Sequence, residues 1–158
     1  GDDMKKILLC LLISLFCVAC QSSSSDEQFQ EYYQIKEQLI SHQEFDTDYP
    51  FHVQVVFYDL EDSYRYDVII DQPQVDMYYI EAMAYAHEDD QKMCPVLGIV
   101  DDSISHMKVD YIDKSQHFYK GVQLSGETEK IQDVKIYVCY YLDKEKTQKV
   151  EKYIEVQS

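Results

Sequence analysis

From Phe51 the apolar residues begin to recur every second position, and this period limits the fold more than any other feature of the sequence. Phe51, Val53, Val55 and Phe57 alternate with His52, Gln54, Val56 and Tyr58; after a polar turn, Asp59 to Ser63, Tyr64, Tyr66, Val68 and Ile70 alternate with Arg65, Asp67 and Asp71. Successive side chains of a strand point to opposite faces, so the two runs read as a hairpin with one buried side. Pro73 separates it from a long strand predicted over 75–86, apolar on both faces as a central strand would be. Shorter strands follow at 96–100, 107–112 and 118–124, with Gly121 and Gly126 flanking turns, and two last strands at 134–142 and 148–156. Seven or eight short strands with turns every eight to twelve residues predict an antiparallel β-sandwich.

The register of the last two strands follows from the order of their residues. If Leu142 faces Gln148, then Tyr140 falls opposite Val150, Ile136 opposite Ile154 and Val134 opposite Val156, one side being apolar except for Lys152. The same register sets Lys135 opposite Glu155, Tyr137 opposite Tyr153 and Tyr141 opposite Lys149 on the other side. That side is a candidate binding face: Lys135, Tyr137, Tyr141 and Tyr153 combine aromatic bulk with a charged rim. The alternative is that the tyrosines cover the sheet or pack beneath a helix. Cys139 shares this side, away from the core, and a free thiol is expected at both Cys94 and Cys139.

Ahead of the strands, Ser25 and Gln28 have the spacing of a capping box, and Phe29, Tyr32, Tyr33, Leu39 and Ile40 recur near helical spacing. A helix is predicted over 26–42. The all-β reading thus carries one N-terminal helix, and residues 26–158 form one domain whose sandwich spans 51–156.

Residues 4–25 concern address, not fold. Lys5 and Lys6 precede an apolar run from Ile7 to Phe16, the length of a signal-peptide core and short of the roughly 20 residues that a bilayer span needs. Val18-Ala19-Cys20 follows, and then Gln21 and four serines. This segment resembles the lipobox signal of bacterial lipoproteins. The resemblance implies export, cleavage before Cys20, lipidation of Cys20, and a membrane partner reached through that lipid. The alternatives are a soluble secreted protein cut near Ala19 and a buried helix. Residues 1–19 are therefore expected to leave the mature chain, Gly1-Asp2-Asp3 being a cloning remnant ahead of Met4, and residues 20–25 to form a flexible tether.

Asp133-x-Lys135-x-Tyr137-x-Cys139 in the penultimate strand resembles the tyrosine-corner stretch of immunoglobulin-like domains, which implies an immunoglobulin-like form of the sandwich. The antibody-type disulfide is not expected, because tryptophan is absent and Cys94 follows three predicted strands.

The formal charge is −16, and removing residues 1–19 takes away Asp2 and Asp3 with Lys5 and Lys6, leaving it unchanged. Such a chain repels phosphate backbones, so no nucleic-acid partner is expected, and an anchor, not charge, would hold it at a membrane. His42, His52, His87, His106 and His117 lack metal-site spacing, no catalytic motif surrounds Cys94, and no cofactor is expected. Asp59, Glu61 and Asp62 in one turn, with Asp101 and Asp102 in another and Asp89 and Asp90 in a third, would supply carboxylates to a calcium ion if the loops met at one end of the sandwich. Solvated loop charge is the alternative. These features predict a membrane-anchored binding or interaction module with a protein, peptide or glycan partner. A cell-envelope enzyme or accessory lipoprotein, and a structural subunit of a surface assembly, remain as alternatives.

Overall fold

The structure is a computed structural model that describes residues 24–86 and 92–158. Cys20, His87, Asp89 and Asp90 lie outside the described residues. Among the described residues one α-helix, α1 (Ser24–Ser41), precedes seven strands: β1 (His52–Asp59), β2 (Tyr64–Asp71), β3 (Tyr78–Tyr85), β4 (Val96–Leu97), β5 (Gly121–Thr128), β6 (Val134–Tyr141) and β7 (Lys149–Val156). They form two antiparallel sheets, β1-β2-β5 and β4-β3-β6-β7. Among the described residues no helix is long and apolar enough to cross a membrane.

One apolar core lies between the sheets. Val68 and Ile70 of β2 and Leu124 of β5 meet Ile80, Ala82 and Ala84 of β3, Ile136, Val138 and Tyr140 of β6, and Ile154 of β7. These are the alternating positions of each strand, so the period-two pattern has become one buried face per sheet. A second, smaller cluster lies on the opposite face of β3 and β6. There Tyr32, Ile35 and Leu39 of α1 cover Met83, Tyr85, Tyr137 and Cys139. The spacing of those three α1 residues places them on one side of a helix. The layers are therefore sheet, sheet, helix.

The last hairpin has the register expected, from Val134↔Val156 to Tyr141↔Lys149, with Leu142 N–H bonded to Gln148 O at 3.0 Å. Lys152, the one misfit on its apolar side, lies on the edge strand β7. Its ammonium turns out to Asp48 O at 3.1 Å and Asp46 Oδ1 at 3.6 Å, so no charge enters the core.

The strands expected at 75–86 and 96–100 shorten to Tyr78–Tyr85 and Val96–Leu97, and three further points differ from expectation. Residues 107–112 are no strand but a tight turn with isolated bridges Met77↔Met107 and Lys108↔Tyr111. Asp110, at φ 51°, closes it with a left-handed residue that regular strand pairing does not hold. Strand β5 starts at Gly121 instead of 118, because Asp113 caps a short 3₁₀ turn, Lys114–Gln116, through Ser115 N–H. Gly126 does not flank a turn but pairs with Tyr66 two residues inside the end of β5, and a β-carbon there would lie 2.6 Å from the Tyr66 ring. Glycine is what lets that ring lie flat across β5.

Candidate functional site

The tyrosine side of the β6–β7 hairpin is covered, so its reading as an exposed binding face is corrected. Tyr137 is 2% exposed. Its ring meets Tyr153 at 5.4 Å and its hydroxyl donates to Glu151 Oε1 at 3.0 Å, while burial drives the phenol's pKa far upward. Tyr153 is half-buried, stacked on His42 at 3.9 Å and donating to Gln38 Oε1 at 3.1 Å. Lys135 is buried, and its ammonium donates to Ile40 O and His42 O, each at 2.9 Å. It thereby satisfies carbonyls that the end of α1 leaves open, with a positive charge where the helix dipole favours one. Tyr141 lies at the far end of the strand under the Lys146 ammonium, 5.7 Å from its ring centre. The amphipathic pattern is present as expected, but what it recognises is α1. The Tyr137 bond to Glu151 also differs from a tyrosine corner, whose hydroxyl returns to backbone just upstream.

Both cysteines are buried thiols, outside any disulfide, in the layer beneath α1. Cys94 N–H donates to Tyr32 Oη at 2.7 Å, and burial pushes the Tyr32 phenol up to about 12. Burial, with Glu81 nearby, pushes the Cys139 thiol up to about 11, away from nucleophilic use.

The carboxylates considered for calcium do not converge. Asp59 accepts Glu61 N–H at 2.8 Å within the β1–β2 turn, and Asp101 accepts Ser103 N–H at 3.1 Å within its own loop. The two turns lie at opposite ends of the sandwich. Tyr64, just past the first, pairs with Thr128 at the end of β5, whereas Asp101 lines a groove with Lys146 of the β6–β7 turn. Among the described residues no three metal-ligating side chains come together.

The described histidines gather no metal site either. His52 Nδ1 meets Asp71 Oδ1 at 2.8 Å on the surface of β1–β2, and His117 is exposed at φ 63°. His106 is buried. Its Nδ1 accepts the Tyr79 N–H at 2.9 Å, at the point where β3 bulges and Tyr79 takes φ 51°. Tyr78, Tyr79 and Phe118 surround the ring, at centroid distances of 5.4, 4.7 and 5.1 Å respectively. Burial lowers its pKa, and His117 and Lys144 lower it further. The ring is an acceptor that organises the loop ahead of β5.

What stays open is the outer face of β1-β2-β5, which no described element covers. The register sets four rows across it: His52–Asp71–Gly121, Gln54–Ile69–Gln123, Val56–Asp67–Ser125 and Tyr58–Arg65–Glu127. Side-chain contacts knit them together. The Arg65 guanidinium lies 4.4 Å over the Tyr58 ring and 3.3 Å from Asp67 Oδ2; Ser125 Oγ donates to Asp67 Oδ1 at 2.8 Å, and Gln123 donates to Ser125 Oγ at 3.2 Å. Asp67, though it points outward, is 4% exposed because these neighbours enclose it. Tyr58, in contrast, is 42% exposed. The result is an open face that holds a tyrosine against an arginine, with donors and acceptors beside them. Alternation places these residues on the outer side of the hairpin but does not select them, because it cannot tell which sheet the helix will cover.

No family model matches the chain, and neither a curated protein nor a solved structure matches it.

Proposed function

We propose that the protein is an exported lipoprotein, acylated on Cys20, that displays an immunoglobulin-like sandwich outside the bacterial membrane as an interaction module, and that the open β1-β2-β5 face receives its protein, peptide or glycan partner. The strand order supports the architecture. Lettered A, B, C, C′, E, F and G along the chain, the strands divide as A-B-E against C′-C-F-G, the division used by immunoglobulin-like domains. The address rests on Lys5-Lys6, the apolar run and Val18-Ala19-Cys20.

The observation that carries the partner face is the linked set Tyr58, Arg65, Asp67 and Ser125. Tyrosine and arginine dominate the energetics of protein interfaces, and side chains already held in place lose little freedom on binding. The test is recovery of partners from native membranes with the lipidated protein. Replacing Tyr58 and Arg65 together by serine should weaken capture at least about tenfold, the result of losing roughly 1.4 kcal/mol or more of binding energy. Circular dichroism should show the fold intact. Undiminished recovery by the folded double variant would exclude this face.

A further inference from the structure

The helix also sets toward which end of the sandwich the N-terminal segment leads. Lys135, at the start of β6, binds the carbonyls at the C-terminal end of α1. Glu31, earlier in the helix, instead lines a groove with Ile80, Asp101 and Lys146, beside the end of β6. The first turns of α1 therefore lie toward the end that carries the 98–120 loop and the β6–β7 turn. Ser24 is the first residue of α1, and Cys20 is four residues before it. Four residues span at most about 14 Å. A lipid on Cys20 would hold this end within a loop's reach of the bilayer.

The same end carries an apolar tip. Val109, Tyr111 and Ile112 are 46, 40 and 56% exposed in the turn that Asp110 closes. They line an open groove with Pro73, Lys108 and Lys120. Tyr111 is braced edge-on against Phe118 at 5.1 Å, and the turn is tied to the body by the Met77–Met107 bridge, so the tip is presented by a fixed support. Asp71 and Asp110 also border the groove, and Lys108 pairs with Asp76 at 3.6 Å; local charge is thus mixed, and the attraction must come from apolar contact. A tyrosine beside aliphatic side chains, with lysines whose stems can lie along the acyl boundary, suits the interfacial zone of a bilayer.

We infer that the 107–112 turn rests in the lipid interface, with Val109 and Ile112 seated among the upper acyl chains and Tyr111 at headgroup level. The inference rests on the acylation of Cys20 proposed above. Tethering raises the local concentration of the tip at the membrane, so a contact too weak to recruit a soluble protein suffices to orient an anchored one.

The chain contains no tryptophan, which makes a single inserted one a specific reporter. Ile112→Trp and, as the reference at the opposite end, Leu60→Trp in the exposed β1–β2 turn would each be made in the full chain, produced with its signal and reconstituted into phosphatidylcholine vesicles with and without brominated acyl chains. The Ile112→Trp emission should shift to the blue and be quenched by bromine, and that of Leu60→Trp should do neither. If mass spectrometry finds Cys20 acylated and the protein stays on the vesicles, but both reporters behave alike, the docking is overturned and the anchor stands. An unmodified Cys20, with the protein absent from vesicles, overturns the anchor and this inference with it. A blue shift of Ile112→Trp in the Cys20→Ser chain on concentration alone, without vesicles, assigns the tip to a second copy of the chain and overturns the lipid contact.

Discussion

Single side chains in this protein gain their roles from the backbone they serve. Lys135 sits where a strand pattern would put a solvent lysine, yet its ammonium closes the end of a helix some 95 positions away in the chain. Its role was not legible in the sequence, because nothing local to Lys135 specifies where the carbonyls of residues 40 and 42 will be. His106 is similar: its neighbours give no hint that a backbone N–H of β3 will point at Nδ1. That bond requires the unprotonated nitrogen, and burial holds the folded-state pKa below the ordinary 6.5. The folded protein therefore binds fewer protons than the unfolded chain between the two pKa values. The stabilisation is present above pH 6.5 and is lost as pH falls below it toward the lowered value. A His106→Gln variant should accordingly show a Tm less sensitive to pH between about 7 and 5 than the native protein; parallel slopes would remove His106 as the source.

At the scale of elements, α1 is the outermost layer, held by the smaller of the two apolar clusters. Tyr32, Ile35 and Leu39 are its buried anchors, and Leu39 is wholly buried. Leu39→Ala should destabilise the fold by about 2–5 kcal/mol, the cost of a buried leucine replaced by alanine. Because Cys94 and Cys139 lie beneath the helix, their alkylation reports its docking separately from the sandwich. In the variant both thiols should react at urea concentrations below the main unfolding transition, as expected of a layer that opens first. Labelling that tracks the main transition would show helix and sheets to be one cooperative unit. Strand content was readable wherever alternation was clean: β1, β2, β6 and β7 fall within one residue of the spans that the pattern implies. It was not readable between 98 and 120, where left-handed residues at Gly98, Asp110 and His117 break the chain's direction and bridges to Met77 and His106 replace regular pairing. The same limit applied to the candidate site. The pattern identified two amphipathic sheet faces, but only the position of α1 decided that Tyr137 is covered and Tyr58 is not.

For the molecule as a whole, charge is the dominant surface property. A formal charge of −16 spreads mutual repulsion over a small domain, and bulk salt screens it over about 10 Å at 0.1 M. The Tm at pH 7 should therefore rise by a few degrees when sodium chloride is raised from low to physiological strength. A fall would mean that the ion pairs Arg65–Asp67 and Lys152–Asp46 outweigh the repulsion. The order of layers has one more result, in time instead of space. α1 is the first element of the described chain to leave the ribosome or a translocation channel, and its docking surface, Met83 and Tyr85 of β3 with Tyr137 and Cys139 of β6, is nearly the last to be completed. Through most of its emergence the apolar stripe of the helix has nothing to lie against, so the helix waits as an unprotected segment until β6 has paired with β3. A chain interrupted before residue 134 would lack half of that surface and leave the stripe exposed to any holding chaperone able to grip it.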